Sequence, residues 1–289
     1  MIIGRFVNFI WDEFVHGAHL LSLGIVFIIV SAKILLQTNF SLAFLLIVYL
    51  IPLLIYSYNR YKELDQDIIS NPERSEFLKK QKNFFPIFVF LYLFALLFLI
   101  FLYSDIQLGL FVVLLIFLGV LYTLFLKRLT KIIIGFKNFF VAFTISLLIP
   151  LLAFYFNHPL DLSVLFISSF VFIKTFVNTS FCDLKDVITD KQEGLKTFVV
   201  YFGEKRALNF LKLMSIISIT PLFLGVYFEV LPLYSLFLIL TVVFNFYYFN
   251  EYEKDNSKKE WIFNYLVDLE FYFWPIFLIL GGYLLNLYL

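Results

Sequence analysis

Three carboxylates, Asp183, Asp186 and Asp190, follow directly on an apolar run and recur at i, i+3 and i+7. In a helix that spacing sets them on one face, aimed the same way. Carboxylates concentrated at the end of a membrane-compatible helix are costly unless they bind something cationic. Oxygen ligands at this density suit magnesium, which binds through one or two carboxylates and bridges to substrate phosphates. A second acidic segment ends another apolar run. There Asn59, Glu63 and Asp67 recur at i, i+4 and i+8, along one side of a helix that continues out of the bilayer, while Asp65 faces elsewhere. Asn71-Pro72 marks the turn that ends that helix.

The chain that positions these groups has 289 residues, of which 62% are hydrophobic and 21% aromatic, far from the usage of a soluble globule. Apolar runs of about 18–22 residues, the length that a ~30 Å hydrocarbon core requires, recur from end to end. Nine spans are expected, at 16–36, 40–58, 83–103, 107–126, 137–156, 162–182, 207–228, 231–250 and 267–287. The first is read as a retained helix, since Trp11, Asp12 and Glu13 precede it and no small-residue cleavage site follows. The whole chain, 1–289, is expected to form a single transmembrane domain. One cysteine, Cys182, excludes an internal disulfide framework and a zinc site of several thiolates.

Loops after even-numbered spans are long and charged (59–82, 127–136, 183–206 and 251–266), whereas those after odd-numbered spans are short and nearly uncharged. Of the 22 Lys and Arg residues, only Lys33 and Lys174 lie outside the charged loops, their flanks and the N-terminus. The positive-inside rule then places the N-terminus and the charged loops in the cytoplasm and the C-terminus outside. On that topology 59–82 and 183–206 lie on one membrane face and can meet over one cavity. A charged loop is usually only a solvated helix end, but a carboxylate row is not what positive-inside topology asks for.

With the acidic segments and the span pattern in view, the sequence resembles the UbiA-type intramembrane prenyltransferases. Members share a nine-helix bundle and two acidic motifs, after helices two and six. The second, D-x-x-D-x-x-x-D followed by a glycine and a Thr-x-x-V stretch, is complete here in Asp183, Asp186, Asp190, Gly194, Thr197, Val200 and Gly203. The first, N-D-x-x-D-x-x-x-D, is degenerate: Asn59 and Asp67 match, Glu63 replaces an aspartate, and Arg60 stands where the family has its other one. Asn71-Pro-Glu-Arg74 matches the N-x-x-R continuation, though Ser75-Glu-Phe-Leu78 departs from the usual Pro-rich segment. Tyr122 to Lys127-Arg128 and Gly135-Phe-Lys-Asn138 resemble the segments around helix four and the start of helix five.

The resemblance implies an all-α integral membrane protein, nine helices in one bundle around a central cavity with its acidic loops on the cytoplasmic side. It implies transfer of a prenyl group from an allylic prenyl diphosphate to an aromatic or lipid-type acceptor. Asn59, Glu63, Asp67, Asp183, Asp186 and Asp190 are the implied ligands of two magnesium ions. Lys127, Arg128, Lys131, Arg74 and Lys191 are the implied diphosphate contacts, with Lys127 and Lys131 sharing a helical face at i, i+4. Departure of the diphosphate builds negative charge that metal ions and fixed cations stabilise. The allylic cation in turn needs aromatic faces; Tyr122 is singled out by motif position and, with Lys127, is the candidate catalytic residue, ahead of Tyr58 and Tyr61. Arg60 leaves two readings open: it removes one acidic ligand, or it contacts the diphosphate bidentately.

Lys174 lies in mid-span, one turn before Asn178, and an intramembrane lysine marks function or a polar partner. His16 and His19 read as interfacial, and Asp268 and Glu270, at the cytoplasmic start of the ninth span, either join the site or cap the helix N-terminus, where the macrodipole favours acids. A transporter is the rival of another class, but the acids sit at one face instead of the midplane and no inverted repeat is evident. A catalytically silent isoprenoid binder is the rival within the family, motivated by Arg60. The expected partners are a prenyl diphosphate, a hydrophobic or aromatic acceptor and membrane lipids, with no nucleic acid; the expected location is a prokaryotic plasma membrane, the composition hinting at an AT-rich microbial genome.

Overall fold

Long apolar runs without charge fold as helices in lipid because a helix satisfies its own backbone groups. The computed structural model describes residues 11–64, 68, 71–254 and 259–288, and among these there is no strand. Nine helical stretches among the described residues are long and apolar enough to cross a membrane: His19–Leu36, Leu42–Lys62, Phe85–Tyr103, Ile106–Leu124, Phe136–Tyr155, Leu162–Cys182, Glu204–Tyr227, Leu233–Lys254 and Val267–Leu285. Their number and order are those read from the sequence. Short polar starts are capped as their sequences dictate. Asp105 Oδ1 accepts from Leu108 N–H at 2.8 Å and Asp161 Oδ1 from Ser163 N–H at 2.9 Å, satisfying first-turn donors that have no partner in their helix.

The chain divides into two compact units, one ending its first segment at Val26 and resuming from Ser41 to Lys127, the other made of Phe27–Phe40 and Arg128–Leu289. In the first unit the second span packs against the third and fourth. A glycine permits the closest approach: a Cβ on Gly119 would stand 2.7 Å from Ile55 Cγ2. The third span is apolar on every side, and Phe90, Phe94, Phe98 and Phe101 are exposed along it, the surface expected of a helix facing lipid.

In the second unit the sixth span is the hub, packed on the fifth and on both halves of the seventh. Val177, Phe181, Leu211, Tyr248, Phe249 and Phe263 form part of its buried core. Several spans are interrupted. The fifth breaks at Leu147 and the seventh between Ile217 and Thr220, before Pro221, while the eighth opens as a 3-10 helix, Leu233–Ile239. Proline within an apolar run removes a helical donor, which breaks the helix without ending the span.

Candidate active site

Each acidic segment begins where an apolar span stops. The sixth span ends at Cys182, and Asp183 is its cap. The next bonds run from Leu184 N–H to Phe181 O, Lys185 to Cys182 and Asp186 to Asp183, at 3.0–3.2 Å, the tighter i to i−3 pattern of a 3-10 turn. Asp186 precedes a short helix, Val187–Glu193, whose Asp190 N–H returns to Asp186 O at 2.8 Å. The single helical row expected for Asp183, Asp186 and Asp190 is thus corrected: a turn divides it, because the last carbonyls of a span take i+3 partners as the chain leaves the apolar phase. Successive carboxylates stay on one side all the same, since a 3-10 turn eclipses i and i+3 and an α turn aligns i and i+4. Gly194, at φ +72°, then closes the short helix: its N–H meets Lys191 O at 3.1 Å and Leu195 N–H meets Asp190 O at 2.8 Å, a Schellman ending that wants glycine.

Asp183 is 1% exposed and both of its oxygens are engaged: Lys137 Nζ donates to Oδ1 and Asn138 Nδ2 to Oδ2, each at 2.8 Å. Burial pushes its carboxyl above the usual range, opposed by Lys137 and Asn138 and reinforced by Asp186. Asp190 is pushed up to about 7, foremost by burial, with Asp183 and Asp186 adding to the shift and Lys137 opposing it. The three carboxylates and Lys137 therefore feel one another's charge. Asp186 Oδ1, Asp190 Oδ2 and Asn138 Oδ1 are buried atoms without a hydrogen-bond partner. Buried acceptors without donors cost free energy until something supplies positive charge, so this donor set fits a hard cation. Among the described residues, however, no three His, Cys, Asp or Glu side chains are drawn together as tightly as a bound metal ion requires.

Backbone stitching puts Lys137 and Asn138 there. Gly135 N–H donates to Lys196 O at 2.9 Å, and Lys196 N–H to Thr130 O at 2.8 Å. Gly135 has φ +68°, and a Cβ there would run into the ring of Phe198. Only glycine meets both demands, and the fifth span starts from it with Lys137 and Asn138 in its first turn.

In the other unit the second span ends at Lys62, with Glu63 as its cap, so Asn59 stands in the last turn and Glu63 just past it. Asp67 lies outside the described residues. Asn59 Nδ2 donates to Glu63 Oε2 at 3.1 Å, Thr123 Oγ1 donates to Asn59 Oδ1 at 3.2 Å, and Lys127 Nζ stands 2.5 Å from Glu63 Oε1. Arg60 Nη1 donates to His16 O at 2.6 Å. Tyr122 is half-buried on the fourth span, and Arg74 is half-buried on the helix Pro72–Gln81. Arg128, Lys131 and Lys191 are exposed. The helical face expected for Lys127 and Lys131 is corrected: Leu126–Lys131 is a 3-10 helix, whose three-residue turn aligns Lys131 with Arg128 instead.

Sequence reasoning missed two ion-pair partners. Lys137 was noticed only as part of a family-like segment, and its tie to Asp183 spans 46 residues. Glu270, expected to join the site or to favour a helix N-terminus, is 1% exposed and forms a 2.6 Å ion pair with the fully buried Lys174. Lys174 also donates to Asn245 Oδ1, and Asn245 Nδ2 donates to Glu270 Oε2 at 2.5 Å. A pair of acids, Asp268 and Glu270, in the first turn of an apolar span was the available signal. Asn178, one turn past Lys174, donates to Val267 O at 3.0 Å, so Lys174 has its polar neighbours on the eighth and ninth spans.

Solved structures share this fold at low identity. The apo structure of a UbiA homologue from Aeropyrum pernix K1 matches with a TM-score of 0.67 and 15% identity, over 92% of this chain and 97% of its own. A structure from work on digeranylgeranylglyceryl phosphate synthase in membranes matches with a TM-score of 0.59 and 15% identity, over 95% of this chain and 99% of its own. No curated protein matches the chain. The family model described as the UbiA prenyltransferase family matches residues 20–276, from the second residue of the first span into the ninth. This multi-pass membrane protein belongs to the UbiA prenyltransferase family.

Proposed function

We propose that the protein is a membrane prenyltransferase that moves a prenyl group from an allylic prenyl diphosphate to a hydrophobic or aromatic acceptor, all of 1–289 serving as one catalytic domain. The observation that supports this best is the second acidic motif. Its carboxylates stand at the end of a membrane span, where burial and the charges of Asp183 and Asp186 raise the pKa of Asp190, and Asp186 and Asp190 each keep a buried oxygen that lacks a donor.

Asp183, Asp186 and Asp190 would hold magnesium, and in the other unit Asn59 and Glu63, together with Asp67, are proposed as further oxygen ligands. Bound magnesium would stabilise the charge that builds on the diphosphate as the allylic C–O bond breaks. Lys127 and Tyr122 are the proposed catalytic residues, the ammonium toward phosphate oxygen and the ring toward the allylic cation. Arg60, Arg74, Arg128, Lys131 and Lys191 are proposed diphosphate contacts; the exposure of the last three suits capture of a soluble anionic headgroup. The lysine and arginine distribution supports a cytoplasmic N-terminus and an outer C-terminus, and the composition, rich in Phe, Ile, Leu and Asn, supports a prokaryotic plasma membrane as location.

The test is consumption of labelled prenyl diphosphates of several chain lengths by the purified protein, with lipid or aromatic acceptor extracts. Magnesium-dependent turnover is expected, and Asp186→Ala or Asp190→Ala should lower it by about 10²-fold or more, the scale of losing one electrostatic stabiliser. Binding of prenyl diphosphate without turnover on any acceptor would favour the silent-binder reading. Turnover untouched in both variants would remove the metal assignment.

A further inference from the structure

Asp183 differs from its two neighbours in one respect: its charge is already answered. Lys137 Nζ lies 2.8 Å from Oδ1 and Asn138 Nδ2 lies 2.8 Å from Oδ2, while Asp186 Oδ1 and Asp190 Oδ2 have no donor. The pairing is unequal in access. Asp183 is 1% exposed but Lys137 is 31% exposed, so the ammonium can leave toward solvent without the carboxylate moving. Asn138 is fully buried and held in the first turn of the fifth span behind the left-handed Gly135, and its Oδ1 has no donor.

We propose that Lys137 is a resident counter-ion that exchanges with the incoming cation: it neutralises Asp183 in the empty protein and, when a divalent ion takes that carboxylate, carries its charge to the diphosphate. The inference rests on the prenyl-diphosphate reading above and adds to it a residue and a coupling. A divalent ion binding alone must strip Asp183 of an ammonium, which costs affinity. Diphosphate binding alone finds Lys137 engaged. When both bind, the released ammonium meets phosphate oxygens as a charge-assisted donor, and the two ligands help each other. Linkage requires that help to be reciprocal. Asn138 stays in place throughout, since its amide can present Oδ1 to a cation while Nδ2 still donates to Asp183.

The experiment measures Mn2+ binding to the detergent-purified full-length protein by electron paramagnetic resonance, with and without inorganic pyrophosphate. Wild type should bind Mn2+ about tenfold more tightly when pyrophosphate is present, a coupling inside the usual range. Lys137→Met should bind Mn2+ alone more tightly than wild type and show little further gain with pyrophosphate, while Lys137→Arg should restore the coupling. Lys137→Gln, polar but uncharged, serves as the second variant should Lys137→Met not fold, and the same tighter Mn2+ binding and lost coupling are expected of it. Wild type that binds Mn2+ equally with and without pyrophosphate, or Lys137→Met with unchanged Mn2+ affinity and unchanged coupling, overturns the inference while the metal site stands. Wild type that binds no Mn2+ under either condition overturns the metal reading itself, and the inference with it.

Discussion

Lys174 and Glu270 offer the sharpest test of how this membrane core is held. They are 0% and 1% exposed and form a 2.6 Å ion pair. At that distance the Coulomb attraction comes to about 6 kcal/mol for an effective dielectric near 20. Desolvating two ions offsets most of it, so the net worth of the intact pair is small, whereas removing one partner costs about 3–5 kcal/mol. Lys174→Met leaves Glu270 with two neutral donors, Asn245 Nδ2 at 2.5 Å and Tyr248 OH at 3.2 Å. Glu270→Leu leaves the ammonium with Asn245 Oδ1 and Thr241 O. Each single variant should therefore lose about 3 kcal/mol, the low end of that range. The double variant conserves volume and keeps the bonds from Ser215 to Asn245 and from Asn245 to Tyr248, so it should lose no more than about 2 kcal/mol.

The coupling energy from the double-mutant cycle should accordingly exceed about 3 kcal/mol. Equilibrium unfolding in mixed micelles would read it, followed by far-UV circular dichroism and by the fluorescence of the buried Trp274. Additive losses in the double variant would refute the reasoning. So would single variants within about 0.5 kcal/mol of wild type, the scale of an ordinary surface change.

Gly135→Ala should cost about 1–3 kcal/mol, because it forces a Cβ into a left-handed backbone and against the Phe198 ring; adding Phe198→Leu should return only the part due to the clash, as read by chemical unfolding. Gly119→Leu should destabilise by about 1–3 kcal/mol through overpacking against Ile55, and Ile55→Ala should recover part of it. At Glu13, burial raises the carboxyl pKa, but hydrogen bonds from His19 and Gln81 outweigh it and hold the group below its usual 4.5. Its contribution to stability is therefore present above about 4.5 and lost as the pH falls through the lower folded value. Glu13→Gln should flatten the acid limb of a stability–pH profile without affecting stability trends near neutrality.

The spans were legible because a bilayer imposes length and apolarity on every crossing helix, and both can be counted along a sequence. Their interiors were less legible. Pro150 just past the break at Leu147 and Pro232 just before the 3-10 start at Leu233 mark where a helix can be interrupted, but not the form the backbone takes there. The aspartate motif was found by spacing, but the turn at 183–186 was not, since it depends on where the sixth span runs out of apolar neighbours. The ties from Lys137 to Asp183 and from Lys174 to Glu270 join residues far apart in the chain. A basic residue has too many acidic candidates for spacing to choose among them. Lys127 shows the same limit: its proposed role was read from position, while its tie to Glu63 crosses 64 residues.

The two acidic segments turn out to be built alike, each within its own unit. Asn59 and Lys127 hold the oxygens of Glu63, as Asn138 and Lys137 hold those of Asp183. One amide and one ammonium answer each capping carboxylate, which lowers the cost of keeping it out of water. It follows that alanine at Glu63 or Asp183 perturbs two things at once, a proposed ligand oxygen and a released lysine, and a loss of activity there would not identify a metal ligand. Asp183→Asn separates them, because it removes the charge and retains an acceptor for Lys137. Asp186 and Asp190 need no such control, since each keeps a buried oxygen that no protein donor meets. Their variants release no bonded lysine, although the charge of Asp190 is felt by Lys137 and Asp183, and the metal assignment stands or falls with them.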